Sequence, residues 1–245
     1  MISAGTVLVL ATAVAAVAVA AGPACTYARG YLTRLEALEE ASPPLSPLSP
    51  PRVRARWLLA PLPQAVLSTC LVAAFLGWGL RAHTPVQTVL ALPVVALTAS
   101  ACSVDAVCHR LPNRLLGAAG TWVVGAAALT TLARLLALGT APADATWPAA
   151  RALLCALGAG GVLLVMAVLP SGLGLGDVKL GTVLGGWLGH VGAAAAVTGL
   201  VLGFLLAGAA ASALIVTRRV GRRDHLALGP YLAMGGWLAW VLALA

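Results

Sequence analysis

The stretch Leu180–Thr217, LGTVLGGWLGHVGAAAAVTGLVLGFLLAGAAASALIVT, contains no Lys, Arg, Asp or Glu, and His190 is its one ionisable side chain. At 1.5 Å per residue, a single helix over it would be about 57 Å long, roughly twice a hydrocarbon core of about 30 Å. It therefore reads as two membrane spans, turning near Gly189-His190-Val191-Gly192. Outward from it, further charge-free runs occupy Met1–Ala28, Trp57–Leu80, Ala82–Val104, Leu115–Ala133, Ala152–Gly176 and Leu226–Ala245. Strong charges inside a span are costly, so the gaps between charges mark the spans. The fold expected is all-α, a polytopic transmembrane helical bundle of about eight spans, one of them short.

Composition agrees. The chain is 61% hydrophobic and 9% charged, against about 45–50% apolar and about 25% charged in a soluble domain. No Lys or Arg precedes the first apolar run, while Arg29 and Arg34 follow it. That flank pattern favours a retained first span, with the N-terminus outside, over a cleaved secretory signal. Residues 1–28 then form the first span and 29–56 a cytoplasmic Pro/Ser-rich loop. Within that loop, Ser42–Arg52 (SPPLSPLSPPR) cannot form a regular helix, because proline removes donors and restricts the residue before it. Residues 57–245 form the membrane domain.

With the N-terminus outside, the inside loops are Arg29–Arg56, Asp105–Arg114, Ser171–Lys179 and Arg218–His225. They hold twelve basic residues, against Arg81, Arg134 and Arg151 outside. This is the bias expected of cytoplasmic loops, and eight crossings put both termini outside. The excess of 15 Lys+Arg over 7 Asp+Glu is thus accounted for by orientation in the bilayer. Nucleic acid is not an expected partner, since it would need a basic face beyond the membrane.

Of the acidic residues, only Asp105 and Asp177 abut apolar runs at the same membrane face without a dense basic cluster. Two crossings separate them, which is why they share a face. An ionisable group at a span end is a functional candidate, although an ion pair of Asp105 with Arg110 or Arg114 would be a purely structural alternative. Asp177 lies in Leu169-Pro-Ser-Gly-Leu-Gly-Leu-Gly-Asp-Val-Lys-Leu180. Gly172, Gly174 and Gly176 permit positive φ and close backbone approach, which suits a loop admitting an extended substrate. A tight turn between helices is the plainer reading. Lys179 is the single lysine beside fourteen arginines. Two carboxyls brought within hydrogen-bonding distance share a proton and titrate as a pair. One can then deprotonate water while the other protonates a carbonyl oxygen, so an amide is hydrolysed without a covalent intermediate.

At these residues the chain resembles the prepilin peptidase family, the type IV leader peptidases. Asp105 followed by Leu111-Pro112-Asn113 is similar to the family's first aspartate motif. Gly174-Leu-Gly-Asp-Val-Lys179 is similar to its Gly-x-Gly-Asp-x-Lys motif. Gly185-Gly-Trp-Leu-Gly189 and Leu228-Gly-Pro-Tyr-Leu-Ala233 resemble further family segments. The likeness runs over about residues 90–240. It implies a membrane aspartic endopeptidase that cleaves prepilin-like precursors at the cytoplasmic face. Asp105 and Asp177 would be catalytic, Gly174 and Gly176 would shape the supporting loop, and Lys179 would position the pair. No metal or organic cofactor is implied. Presenilin-like proteins share Gly-Leu-Gly-Asp, but Val104 precedes Asp105 where they carry Tyr, and no Pro-Ala-Leu occurs.

One departure stands out. Many prepilin peptidases carry two Cys-x-x-Cys pairs after the first span, and this chain has neither; its N-terminal region is a short form. The family's second activity, N-methylation of the new N-terminus, is left open. Cys25, Cys70, Cys102, Cys108 and Cys155 read as small apolar filler. Gly181, Gly185 and Gly189, and likewise Gly199 and Gly203, read as close helix packing. His83, His109 and His190 form no readable metal set, and His109 reads as a solvent-exposed loop histidine, with tuning of Asp105 as the alternative. Trp57, Trp78, Trp147 and Trp187 fall near span ends, where aromatic rings anchor. Two rivals remain: a small transporter using the acidic pair for proton or cation coupling, and a non-catalytic scaffold.

Overall fold

The computed structural model describes residues 4–41, 56–169, 172–217 and 227–245. Among them every regular element is helical: α1 Ala4–Val19, α2 Cys25–Ala41, α3 Pro61–Arg81, α4 Pro85–Cys108, α5 Asn113–Leu136, α6 Pro142–Val168, α7 Leu175–Val191, α8 Ala193–Val216 and α9 Gly229–Ala243. A π-helical turn at Ala20–Ala24, which contains Pro23, joins α1 to α2 without a break in helical backbone. Proline cannot donate to the ladder, and a widened turn absorbs the lost bond.

Among the described residues six helices are long and apolar enough to cross a membrane: the α1–α2 column over Gly5–Ala37, α3, α4, α5, α6 and α8. α7 and α9 have 17 and 15 residues, or about 26 and 23 Å. Two helices, not one, are therefore shorter than a hydrocarbon core. Both run through the interior, where Leu180, Trp187 and Leu188 of α7 and Leu232 and Trp240 of α9 are buried. Protein, not lipid, surrounds most of their length.

Other boundaries also moved. The first helix does not end at Ala28 but continues to Ala41. Its 33-residue apolar-to-charged column is about 50 Å long, so the charged turns extend past the bilayer instead of opening a loop. The Pro/Ser-rich piece lies outside the described residues. α6 starts at Pro142 rather than Ala152, with proline in its first turn and Asp144 beside it, both favourable at a helix N-terminus. The turn expected near Gly192 is there: α7 ends at Val191 and α8 begins at Ala193.

α4 is the central column, with 78% of its most apolar window buried against 17% for α6 and for α8. Glycines set the closest packings around it. A Cβ on Gly185 would stand 2.6 Å from the Cys155 carbonyl oxygen, and one on Gly189 would stand 2.7 Å from the Ala152 Cα. Gly181 meets Leu163, so one glycine face of α7 lies directly on α6. Gly199 and Gly203 of α8 meet Gly236 and Leu232 of α9 in the same way. The small-residue packing read from the sequence holds at both faces. Trp57 and Trp147 are exposed, as interfacial anchors would be, but Trp187 is buried beside Phe75 and Trp240 in the core.

Candidate active site

α4 delivers Asp105 in its last turn, and α7 delivers Asp177 in its first. These ends meet. The Leu111–Asn113 link after α4 lies against the start of α7: a Cβ on Gly176 would stand 3.0 Å from the Leu111 Cβ. Lys179 Nζ donates to Asn113 Oδ1 at 2.8 Å. The distal residues of the two aspartate motifs are thereby bonded to each other, and Asp105 and Asp177 sit at one end of the bundle.

The two carboxyls differ in their surroundings. Asp177 is half-buried, and its Oδ2 accepts the Gly174 N–H at 3.2 Å while its own N–H donates to the Gly174 carbonyl at 3.0 Å. This is a cap of α7 by its own third residue. Asp105 is 5% exposed, and its Oδ2 has no hydrogen-bond partner among the described residues. The backbone N–H of Gly229, at the start of α9, faces the Asp105 carboxyl. A Cβ on Gly229 would stand 2.7 Å from Asp105 Oδ2. Asp177 lies within electrostatic reach of Asp105, and Cys102 within reach of both.

An ionised carboxyl taken out of water without a partner is costly. The ion pair with Arg110 or Arg114 that would have relieved it is not formed: Arg114 lies over the Tyr27 ring, and the salt bridge among the described residues joins Arg56 to Glu36. His109 is exposed and ends α4 in the left-handed region, at φ 52°, with its backbone N–H on the Asp105 carbonyl at 2.7 Å. Its backbone closes the helix that carries Asp105.

The glycine segment is less of a loop than the sequence suggests. Gly172 takes positive φ, at 75°, but Gly174 is extended and Gly176 already lies within α7. Gly176, Asp177 and Lys179 therefore ride on the first turns of a helix. Two neighbours have no role at the site in the sequence reading, although Gly229 lies in the Leu228–Ala233 segment it singles out. Cys102 precedes Asp105 by three residues, a spacing that shares a helix face. Gly229 opens α9, and only its Gly-Pro start hints that a close approach is needed there.

Protein-family models, curated proteins and solved structures were all compared with this chain, and none matches it.

Proposed function

We propose that the protein is a membrane aspartic endopeptidase that cleaves prepilin-like precursors near the cytoplasmic face of the cell membrane. The observation that carries this reading is the buried Asp105 carboxyl, whose Oδ2 has no hydrogen-bond partner among the described residues, with a second carboxyl, Asp177, in its electrostatic field. A structural carboxylate buried to this degree normally has its oxygens satisfied. An oxygen without a partner is available to a water or a substrate carbonyl.

In this mechanism the pair holds one proton. The ionised member takes a proton from water, and the resulting hydroxide attacks the scissile carbonyl carbon. The protonated member gives its proton to the carbonyl oxygen. Collapse of the tetrahedral intermediate breaks the C–N bond: the proton taken from water passes to the leaving amine, and one hydroxyl proton of the intermediate returns to the carboxylate that gave its own, which restores the shared proton. Gly174 and Gly229 each direct a backbone N–H at one aspartate, and Lys179 ties the α7 start to Asn113. The twelve basic residues at this end of the sequence map favour its placement on the cytoplasmic side.

Co-expression with a prepilin that retains its leader tests the reading. Processing is expected with the native chain and is lost with Asp105→Asn or Asp177→Asn. If both single variants still process the precursor, the peptidase reading falls. Proton or cation flux in vesicles without any cleavage would support the transporter instead, and full function of Asp177→Asn would support the scaffold.

A further inference from the structure

At the same end of the bundle, the α1–α2 column and the start of α5 meet through Tyr27. Its ring centroid lies 5.7 Å from the Arg114 guanidinium and 6.0 Å from that of Arg34. Tyr31, with its ring 6.2 Å from Tyr27, lies in the field of Arg110. Two exposed guanidiniums from two separate chain segments thus lie on the Tyr27 ring, and the exposed Arg110 stands within electrostatic reach of Tyr31. None of the three has a carboxylate partner among the described residues. Like charges gathered in one place repel unless an anion joins them.

The depth of this cluster follows from helix length. If the hydrocarbon core begins at Gly5, about 20 residues of helix bring it to an end near Ala24. Tyr27 and Tyr31 then fall in the headgroup layer, where tyrosine is enriched. Beneath them α1 and α5 part over α4. The opening is a cleft of about 380 Å³ lined by residues that include Ala11, Ala15, Val19, Pro93, Ala118 and Trp122. A second cleft of about 370 Å³, also bordered by Trp122, lies between the same three helices further along.

The geometry points to a binding site for an anionic phospholipid, with its phosphate among Arg34, Arg110 and Arg114 and an acyl chain along the cleft past Trp122. Charge complementarity selects this occupant: basic pockets between membrane helices take acidic headgroups, and a net-neutral lipid would supply no counter-charge to three cations that have no carboxylate partner among the described residues. The volume argues against a helix. A helix about 10 Å across and 30 Å long occupies ~2,400 Å³, several times either cleft. The site is separate from the aspartates and does not depend on the peptidase reading.

Tryptophan quenching tests it on the full chain in phosphatidylcholine vesicles. Either phosphatidylglycerol or phosphatidylcholine, brominated on its acyl chains, is added at equal mole fraction. Brominated phosphatidylglycerol is expected to quench more strongly, and Trp122→Phe is expected to remove that excess. The combined Arg34→Gln, Arg110→Gln and Arg114→Gln variant should weaken phosphatidylglycerol occupancy about a hundredfold, from three headgroup-level charges. Arg29→Gln with Arg56→Gln should leave it in place. Equal quenching of the native chain by the two lipids overturns the site without reference to any variant. So does an equal loss in the Arg29/Arg56 variant, which would mean diffuse attraction to a negative surface. Displacement by an uncharged apolar helical peptide, with no preference for phosphatidylglycerol, would assign the cleft to a helix and also overturn it.

Discussion

The two ends of α7 handle charge in opposite ways. At its C-terminal end, Arg151 reaches across from α6 and donates from Nε to the Gly189 carbonyl at 2.7 Å and from Nη2 to the His190 carbonyl at 2.8 Å. A cation there offsets the helix dipole and satisfies carbonyls that have no helical partner. Gly185 and Gly189 press that half of α7 onto α6. At the N-terminal end, Asp177 caps its own helix, while the neighbouring Asp105 carboxyl is buried, faces one backbone N–H from Gly229, and keeps an Oδ2 without a hydrogen-bond partner among the described residues. Both ends keep a buried polar atom without a partner among the described residues, Trp187 Nε1 and His190 Nε2 at the packed joint and Asp105 Oδ2 at the other. What separates the second end is that its atom belongs to a carboxyl with another carboxyl, Asp177, in its field.

Five substitutions, one of them a control, would break or sharpen this contrast. The largest effect is expected at the packed joint. Gly185→Leu forces a branched side chain against the Cys155 backbone and should cost about 3 kcal/mol or more in stability, at or beyond the upper end of overpacking. Gly161→Leu, where a Cβ meets nothing within 4 Å, should fold normally; thermal unfolding of the two in detergent compares them. Arg151→Gln should lower stability by about 1.5–3 kcal/mol, the range for hydrogen bonds to a charged donor, read as a lower unfolding midpoint. Asp105→Asn should move the midpoint the other way, by roughly 1 kcal/mol, since it removes a buried charge held without full compensation. A fall instead would place Asp105 among the structural contacts. Lys179→Met should change stability by less than about 1 kcal/mol, because its bond to Asn113 is exposed. Cleavage should nonetheless slow if that bond sets the spacing of the two motifs.

Much of this was legible in the sequence. Charge-free runs located the helices, and the 38-residue run from Leu180 split at Gly192 as its length required. Same-face placement of Asp105 and Asp177 followed from counting crossings, and their helix ends do meet. The glycine spacing on α7 and α8 was correctly read as packing. What failed did so for physical reasons. Charge marks where lipid ends but not where a helix ends, so α2 ran on past Arg29 and α6 began ahead of Arg151. Aromatic position along the chain does not show depth in the bundle, so Trp187 was misplaced at an interface when it belongs to the core. The approach of Gly229 to Asp105 joins residues 124 positions apart, and no local pattern encodes such a contact.

The central claim is that Asp105 and Asp177 act as one unit on a peptide bond. The rate of prepilin cleavage by the purified chain in liposomes tests it, measured for Asp105→Asn, Asp177→Asn and the double variant. Groups that share one proton are strongly non-additive. Each single change is expected to cost about 10²–10⁴-fold, with the double variant no slower than either single one. A double variant that loses the product of the two single effects, or a single variant that cleaves at the native rate, would contradict the account.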